Sequence, residues 1–178
     1  VSVEWVEWGS EDDGVDDLHV RIFHLVEKGR RRELWSLFAP YHYLSPSLFS
    51  SAASFMATLD GGEPVAFTSA ISMPSGTLVG AWREHRTVVL PDYQGFGLGL
   101  RLVEWSAEWH LARGRRFYSR TTHPRIGLAR DASPLWRATK KSRVMRNPEW
   151  SNASDADTVR LAFSHEYMGA GAGAGAGS

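Results

Sequence analysis

The sequence predicts an α+β fold with a mostly antiparallel, mixed sheet of about six or seven strands flanked by helices. Three observations carry that expectation. Two hairpin-type turns, Asp60-Gly61-Gly62 and Pro74-Ser75-Gly76, separate runs of strand-forming residues. One amphipathic stretch, Leu98 to Ala112, reads as a crossover helix between strands. No segment repeats elsewhere in the chain, which argues against a repeated βαβ frame.

In chain order, Val1 to Trp8 alternates as an edge strand does. Asp16 or Asp17 is placed to cap a helix in which Leu18, Ile22, Leu25 and Val26 recur at helical spacing, ending near Gly29. A second helix is expected from Arg30 to Phe38, stopped by Pro40. Tyr41 to Pro46 follows as an aromatic loop. Ser54 to Leu59 and Pro64 to Ile71 form a hairpin, and a longer strand ends at Leu90. The crossover helix is closed by Gly114. Arg115 to Thr122 is a strand, a short helix is expected around Pro134-Leu135-Trp136, and Thr158 to Tyr167 is the last strand.

With 178 residues, 43% apolar and 22% charged, the chain fits a single domain over residues 1–168 that buries a core without staples. Residues 169–178 alternate Gly and Ala before a terminal Ser, which reads as a flexible linker or fusion scar. Cysteine is absent, which removes disulfides and thiolate chemistry and fits a reducing, cytoplasmic setting. No apolar run is long enough to cross a bilayer, so no membrane partner is expected. The net charge of zero hides an asymmetry. The first 20 residues hold seven acids and no Lys or Arg, while residues 113–146 hold eleven Lys or Arg and one acid, Asp131. A basic stripe of that density meets phosphates or solvent.

Chemistry concentrates in one turn. A strand through Val88, Val89 and Leu90 enters Pro91-Asp92-Tyr93-Gln94, then glycines at 95, 97 and 99 lead directly into a helix. Unpaired amides and the dipole at a helix start favour a phosphate there, and glycine lets it approach the backbone. A dinucleotide site would need Gly-x-G-x-x-Gly in a βαβ frame, and a P-loop would need Lys-Ser/Thr after the glycines, where Leu100-Arg101 stands.

Gln94-Gly95-Phe96-Gly97-Leu98-Gly99 resembles the Q/R-x-x-G-x-G/A signature of GNAT acyltransferases, and the element order from Ser54 to Ser142 is similar to theirs. The resemblance implies an acyl-CoA cofactor, acetyl-CoA or another. It implies that amides from Phe96 through Leu98 and Gly99 to Leu100 grip its pyrophosphate, with the pantetheine beside Val88 to Leu90. Tyr41-His42-Tyr43-Leu44-Ser45 resembles a segment of phage Mom DNA-modification proteins. Phe117 to Pro124 and Ser133 to Trp136 resemble a GNAT branch associated with ABC-type ATPases. These imply DNA or an ATPase as partners. Tyr41, His42 and Tyr43 would then stack a base, and Arg120, Arg125, Lys140, Lys141 and Arg143 would neutralise phosphates. A small or protein amine is the other acceptor left open, and a catalytically silent binding module is the alternative to an enzyme.

For amine acylation, the resemblance puts the base on the strand before the turn, at His85 or at Glu84. Neighbours on a strand face opposite ways, so only one of them meets the ligand. The general acid of the family is commonly a Tyr, and Trp136 stands at the matching place. Tyr43, Tyr118, Ser119 and His123 are the substitutes. The seven His show no zinc-ligand spacing, so no metal is expected.

Overall fold

A computed structural model describes residues 2–8, 18–42, 46–59, 62–74, 77–146 and 160–170. Nine strands and three helices follow the order β1 (Ser2–Trp8), β2 (Leu18–His24), α1 (Lys28–Phe38), β3 (Ala53–Thr58), β4 (Pro64–Ser72), β5 (Ala81–Val89), α2 (Leu98–Leu111), β6 (Arg116–Thr121), α3 (Pro124–Ala132), β7 (Trp136–Ala138), β8 (Val144–Arg146) and β9 (Arg160–Tyr167). The α+β class with a mixed, mostly antiparallel sheet holds. Among the described residues the strands number nine against the six or seven expected, because β2 and the three-residue β7 and β8 escaped the pattern.

The chain groups into two compact units. The first comprises Val1–Ile71 and His85–Ser106, the second Ser72–Glu84 and Ala107–Ser178, so β5 and α2 contribute to both. In the first unit β1, β2, β3 and β4 pair antiparallel in sequence order. Val65 to Ile71 is buried without alternation, as in a strand covered on both faces. Leu25, Leu34, Trp35, Phe38, Met56, Phe67 and Val88 form its core, in which the Phe67 ring lies 5.0 Å from Trp35 and 5.6 Å from Phe38.

The helix expected from Leu18 is a strand. Val20 and Ile22 are fully buried while Arg21 and Phe23 are only partly so, a period of two that pairs Ile22 with Glu4 on one side and Ala57 on the other. Val26, which completed the helical spacing with Ile22, is 63% exposed. The proposed caps Asp16 and Asp17 lie outside the described residues, as do parts of both hairpin turns.

In the second unit β5 and β6 run parallel, while β6, β7 and β8 each pair antiparallel with β9. The β5/β6 register covers Ala81↔Arg116, Trp82↔Phe117 and Arg83↔Tyr118. The helix expected around Trp136 sits earlier. Pro124 occupies its first turn, where a missing N–H costs nothing, and Trp136 instead opens β7. Only Gly127 and Arg130 of α3 are buried, so no apolar stripe announced it. Gly127 is there for closeness: a Cβ would stand 2.2 Å from the Phe163 ring. Gly127→Ala is expected to cost about 2–3 kcal/mol through overpacking, read as a lower denaturation midpoint at unchanged slope.

The Gly-Ala tail also begins differently from expectation. Gly169 is buried against Leu111, and the Ala170 amide donates to Glu108 Oε1 at 3.2 Å, so these two residues dock on α2. Among the described residues no helix is long and apolar enough to cross a membrane.

Candidate active site

The glycine turn belongs entirely to the first unit. Beyond Val89 the Leu90 amide still donates to Val65 at 2.9 Å, and Pro91–Tyr93 then makes one 3-10 turn. Gln94 closes it, its Nε2 donating to the Val89 carbonyl at 3.0 Å. Gly95 and Gly97 follow with φ of 95° and 76°, a region costly to any residue with a Cβ. The Arg101 amide reaches the Gly97 carbonyl at 3.1 Å and so begins the bonding of α2. Amides of Leu98, Gly99 and Leu100 precede that bond, as the first amides of any helix do.

Two features leave that end approachable. Gly95, Phe96 and Gly97 are exposed, with Phe96 at 68%, and a Cβ built on Gly95 or Gly97 would meet nothing within 4 Å. Gly99 does a different job. A Cβ there would lie 3.1 Å from Val89 Cγ2, so the missing side chain lets α2 press on β5. Val88 is in the core and Leu90 packs against it, while Val89 faces Gly99.

His85 lies on the same stretch of β5. Its ring meets Phe49 edge-on at 4.9 Å, and its Nδ1 is 3.4 Å from Arg86 Nη1. His42 is partly buried, edge-on to Trp35 at 5.9 Å, and Tyr41 is 54% exposed on a 3-10 turn. Tyr43 lies outside the described residues.

The second unit gathers a different set. Glu84 accepts from Ser119 Oγ and from Arg130 Nη2, the latter at 3.0 Å, and Arg130 Nη1 also reaches Ser119 Oγ. Arg130 is 2% exposed, with its guanidinium 4.6 Å from the Trp136 ring centre. Glu84 and Ser119 are thus brought together, but by an arginine absent from the expected site. Trp136 is 5% exposed and packs 4.9 Å from Tyr167. It is a core residue and fills no acid's place. His123 caps α3 at the surface, its amide donating to Thr121 Oγ1 at 3.0 Å. Tyr118 is buried and donates to Glu166 at 3.0 Å; burial and then that carboxylate push its pKa up.

Much of the basic stripe is also spent locally. Arg116 and Arg137 bind Glu166 at 2.6 and 2.8 Å. Burial pushes the Glu166 carboxyl up, but hydrogen bonds from Arg137, Arg116 and Tyr118 outweigh it and the pKa falls. Arg113 and Arg115 lie over the Trp109 and Trp82 rings. Arg143, expected to meet phosphate, instead binds Asp131 at 2.8 Å. Arg120, Arg125, Lys140 and Lys141 remain exposed. Asp131 also holds the fully buried His165 Nε2 at 2.8 Å. The hydrogen bond from His165, then that from Arg143, hold its carboxyl below the ordinary 3.8. A depressed carboxylate stabilises the fold above its unfolded pKa and loses that contribution as pH falls through the folded one. Asp131→Asn should therefore unfold more readily than wild type at neutral pH, with the gap narrowing below pH 3.8; acid titrations of both proteins check it.

Comparison with known proteins gives the fold its context. An N-acetyltransferase of Escherichia coli that acts on the alanine of ribosomal protein S18 superposes with a TM-score of 0.58 at 16% identity, covering 85% of this chain and 97% of that one. A GNAT-family acetyltransferase from Streptococcus pneumoniae gives 0.60 at 14% identity over 83% and 98%. A Bacillus subtilis acetyltransferase solved with CoA gives 0.57 at 11% identity over 84% and 97%. At such identities the likeness concerns the fold. No curated protein matches the chain in sequence. The profile of the Acetyltransferase (GNAT) family matches residues 17–130, a span that runs from β2 through the glycine turn to Arg130, and the chain is a member of that family.

Proposed function

We propose that this protein is an acyl-CoA-dependent N-acyltransferase that holds the coenzyme pyrophosphate on the amides of Gly97 to Leu100 and acylates an amine. The observation that carries the reading is the open end of α2: a positive-φ glycine turn, exposed and free of overlying atoms, feeds directly into the first helical amides. Those residues fit a diphosphate, since a Cβ on Gly95 or Gly97 would meet nothing among the described residues within 4 Å and the helix dipole favours the charge. Gln94 braces the turn from Val89 and the end of β5 lies alongside the pantetheine. The bound thioester, acetyl or another acyl, supplies the activated carbonyl carbon.

His85 takes the proton of the incoming amine. Glu84 and Ser119 are committed to buried Arg130, and His123 stands exposed at the start of α3 with no side-chain cap bond. A positioned base is worth on the order of 10²-fold or more in rate. His85→Gln is expected to slow thiol release from acetyl-CoA in the presence of amines by about 100-fold while leaving CoA affinity unchanged. An undiminished rate would remove His85 from the reaction, and no thiol release by wild type with any amine would leave a silent binding module. Of the five basic residues expected to meet phosphate, Arg143 is bound to Asp131 while Arg120, Arg125, Lys140 and Lys141 stay exposed, and what favours an amine over a DNA base is the fold's likeness to N-acetyltransferases. An amine is therefore the acceptor we put forward.

A further inference from the structure

The first unit contains a cavity of about 960 Å³ between α1 and residues 46–50, at the upper end of ordinary small-molecule sites. Its wall is held in place. The buried Arg31 guanidinium donates to the carbonyls of Ser50, at 2.6 Å, and Ala52. Trp35 Nε1 donates to the Pro46 carbonyl at 2.6 Å, and Arg86 Nε to the Ser47 carbonyl at 3.2 Å. Side chains of both α1 and β5 therefore fix the carbonyls of the loop that walls the space.

Its lining is of two kinds. Trp35, Leu48 and Phe49 give an apolar floor. Lys28 and Arg32, one helical turn apart and both exposed, stand at the rim. The lining carboxylate, Glu33, is bound to Arg30 at 2.9 Å, so it does little to offset them. Phe49 links the cavity to β5, since the same ring meets His85 at 4.9 Å.

We infer that this cavity receives the acyl acceptor, and that the acceptor is an amine carrying a carboxylate on an apolar body, as a free hydrophobic amino acid does. The inference rests on the acyltransferase reading above. The apolar side group lies on Trp35 and Leu48, and the carboxylate is met by Lys28 and Arg32. Polyamines are repelled by the same rim. The acceptor nitrogen gains the acyl carbon as the carbon–sulfur bond breaks; its proton passes to His85, and a proton from solvent goes to the departing sulfur.

L-Phenylalanine and L-phenylalaninamide differ at the carboxylate alone, and calorimetry with each, with and without saturating CoA, isolates its role. The acid is expected to bind about tenfold more tightly or better, as a charge-assisted contact implies. Arg32→Glu should erase the preference while its CoA affinity stays at the wild-type value. Equal affinity for acid and amide, no binding of phenylalanine, or tighter binding of spermidine overturns the inference. A wild-type protein that prefers the acid but ignores CoA would overturn the acyltransferase reading and leave the chemistry of the cavity standing, so the two failures are distinguishable.

Discussion

Gly97→Glu is expected to weaken coenzyme A binding by about 100-fold or more, which corresponds to roughly 2.7 kcal/mol. Two effects add. Gly97 has φ 76°, so any side chain strains the backbone there, at a cost of about 1–2 kcal/mol. Glutamate also sets a carboxylate at the positive end of α2, where we propose that the diphosphate binds. Gly97→Ala separates the two. Its Cβ meets nothing within 4 Å, so alanine brings strain without charge or clash. Its loss of affinity should not exceed about 5- to 30-fold, the whole of that strain. Gln94→Ala, which removes a brace rather than a contact, should fall below both. Calorimetry across the three variants reads the order directly.

The second large effect concerns stability. Arg130→Leu is expected to cost about 3–5 kcal/mol, because removing one partner of a buried pair strands the other. Arg130 is 2% exposed, and the Glu84 side chain it neutralises is 15% exposed. For a chain of this size the midpoint of thermal unfolding should fall by roughly 10 °C. Adding Glu84→Gln should return part of that loss, since the stranded charge is then gone. If the double variant is no more stable than Arg130→Leu alone, the arginine acts through packing on Trp136 and not through charge. His85→Gln provides the contrast: it should slow turnover while barely moving the midpoint.

These two sites differ in how far the amino-acid sequence reveals them. The turn is legible because its requirements are local: three glycines at alternate positions, a Pro-Asp step and an amphipathic helix all fall within a short span. The Glu84–Ser119–Arg130 cluster joins residues 35 and 46 positions apart, and no local spacing encodes such a pairing. Arg130 had a faint signal, since it follows Gly127 by one helical turn on the buried face of α3. The residues of the cavity carried none, because the loop that walls it is held by side chains from two separate elements.

Element type was legible where periodicity was long, as in α1, β3, β4, β5 and α2. It failed at β2, where four apolar residues, Leu18, Ile22, Leu25 and Val26, satisfied a period of 3.6 on paper while the partners at Glu4 and Ala57 imposed a period of two. Charge counting overstates the free charge for a related reason, although Arg120, Arg125, Lys140 and Lys141 stay exposed. The stripe of residues 113–146 is basic in composition, but Glu166 alone engages two of its arginines and Asp131 a third.

The central claim is that peptide nitrogens at the start of α2 hold the coenzyme diphosphate. Titrating the ¹⁵N-labelled protein with coenzyme A and, separately, with pantetheine addresses those nitrogens one by one. The amides of Gly97, Leu98, Gly99 and Leu100 are expected to show the largest shifts with coenzyme A and little response to pantetheine, which lacks the diphosphate. Saturable binding of coenzyme A that leaves these four amides unmoved would contradict the account.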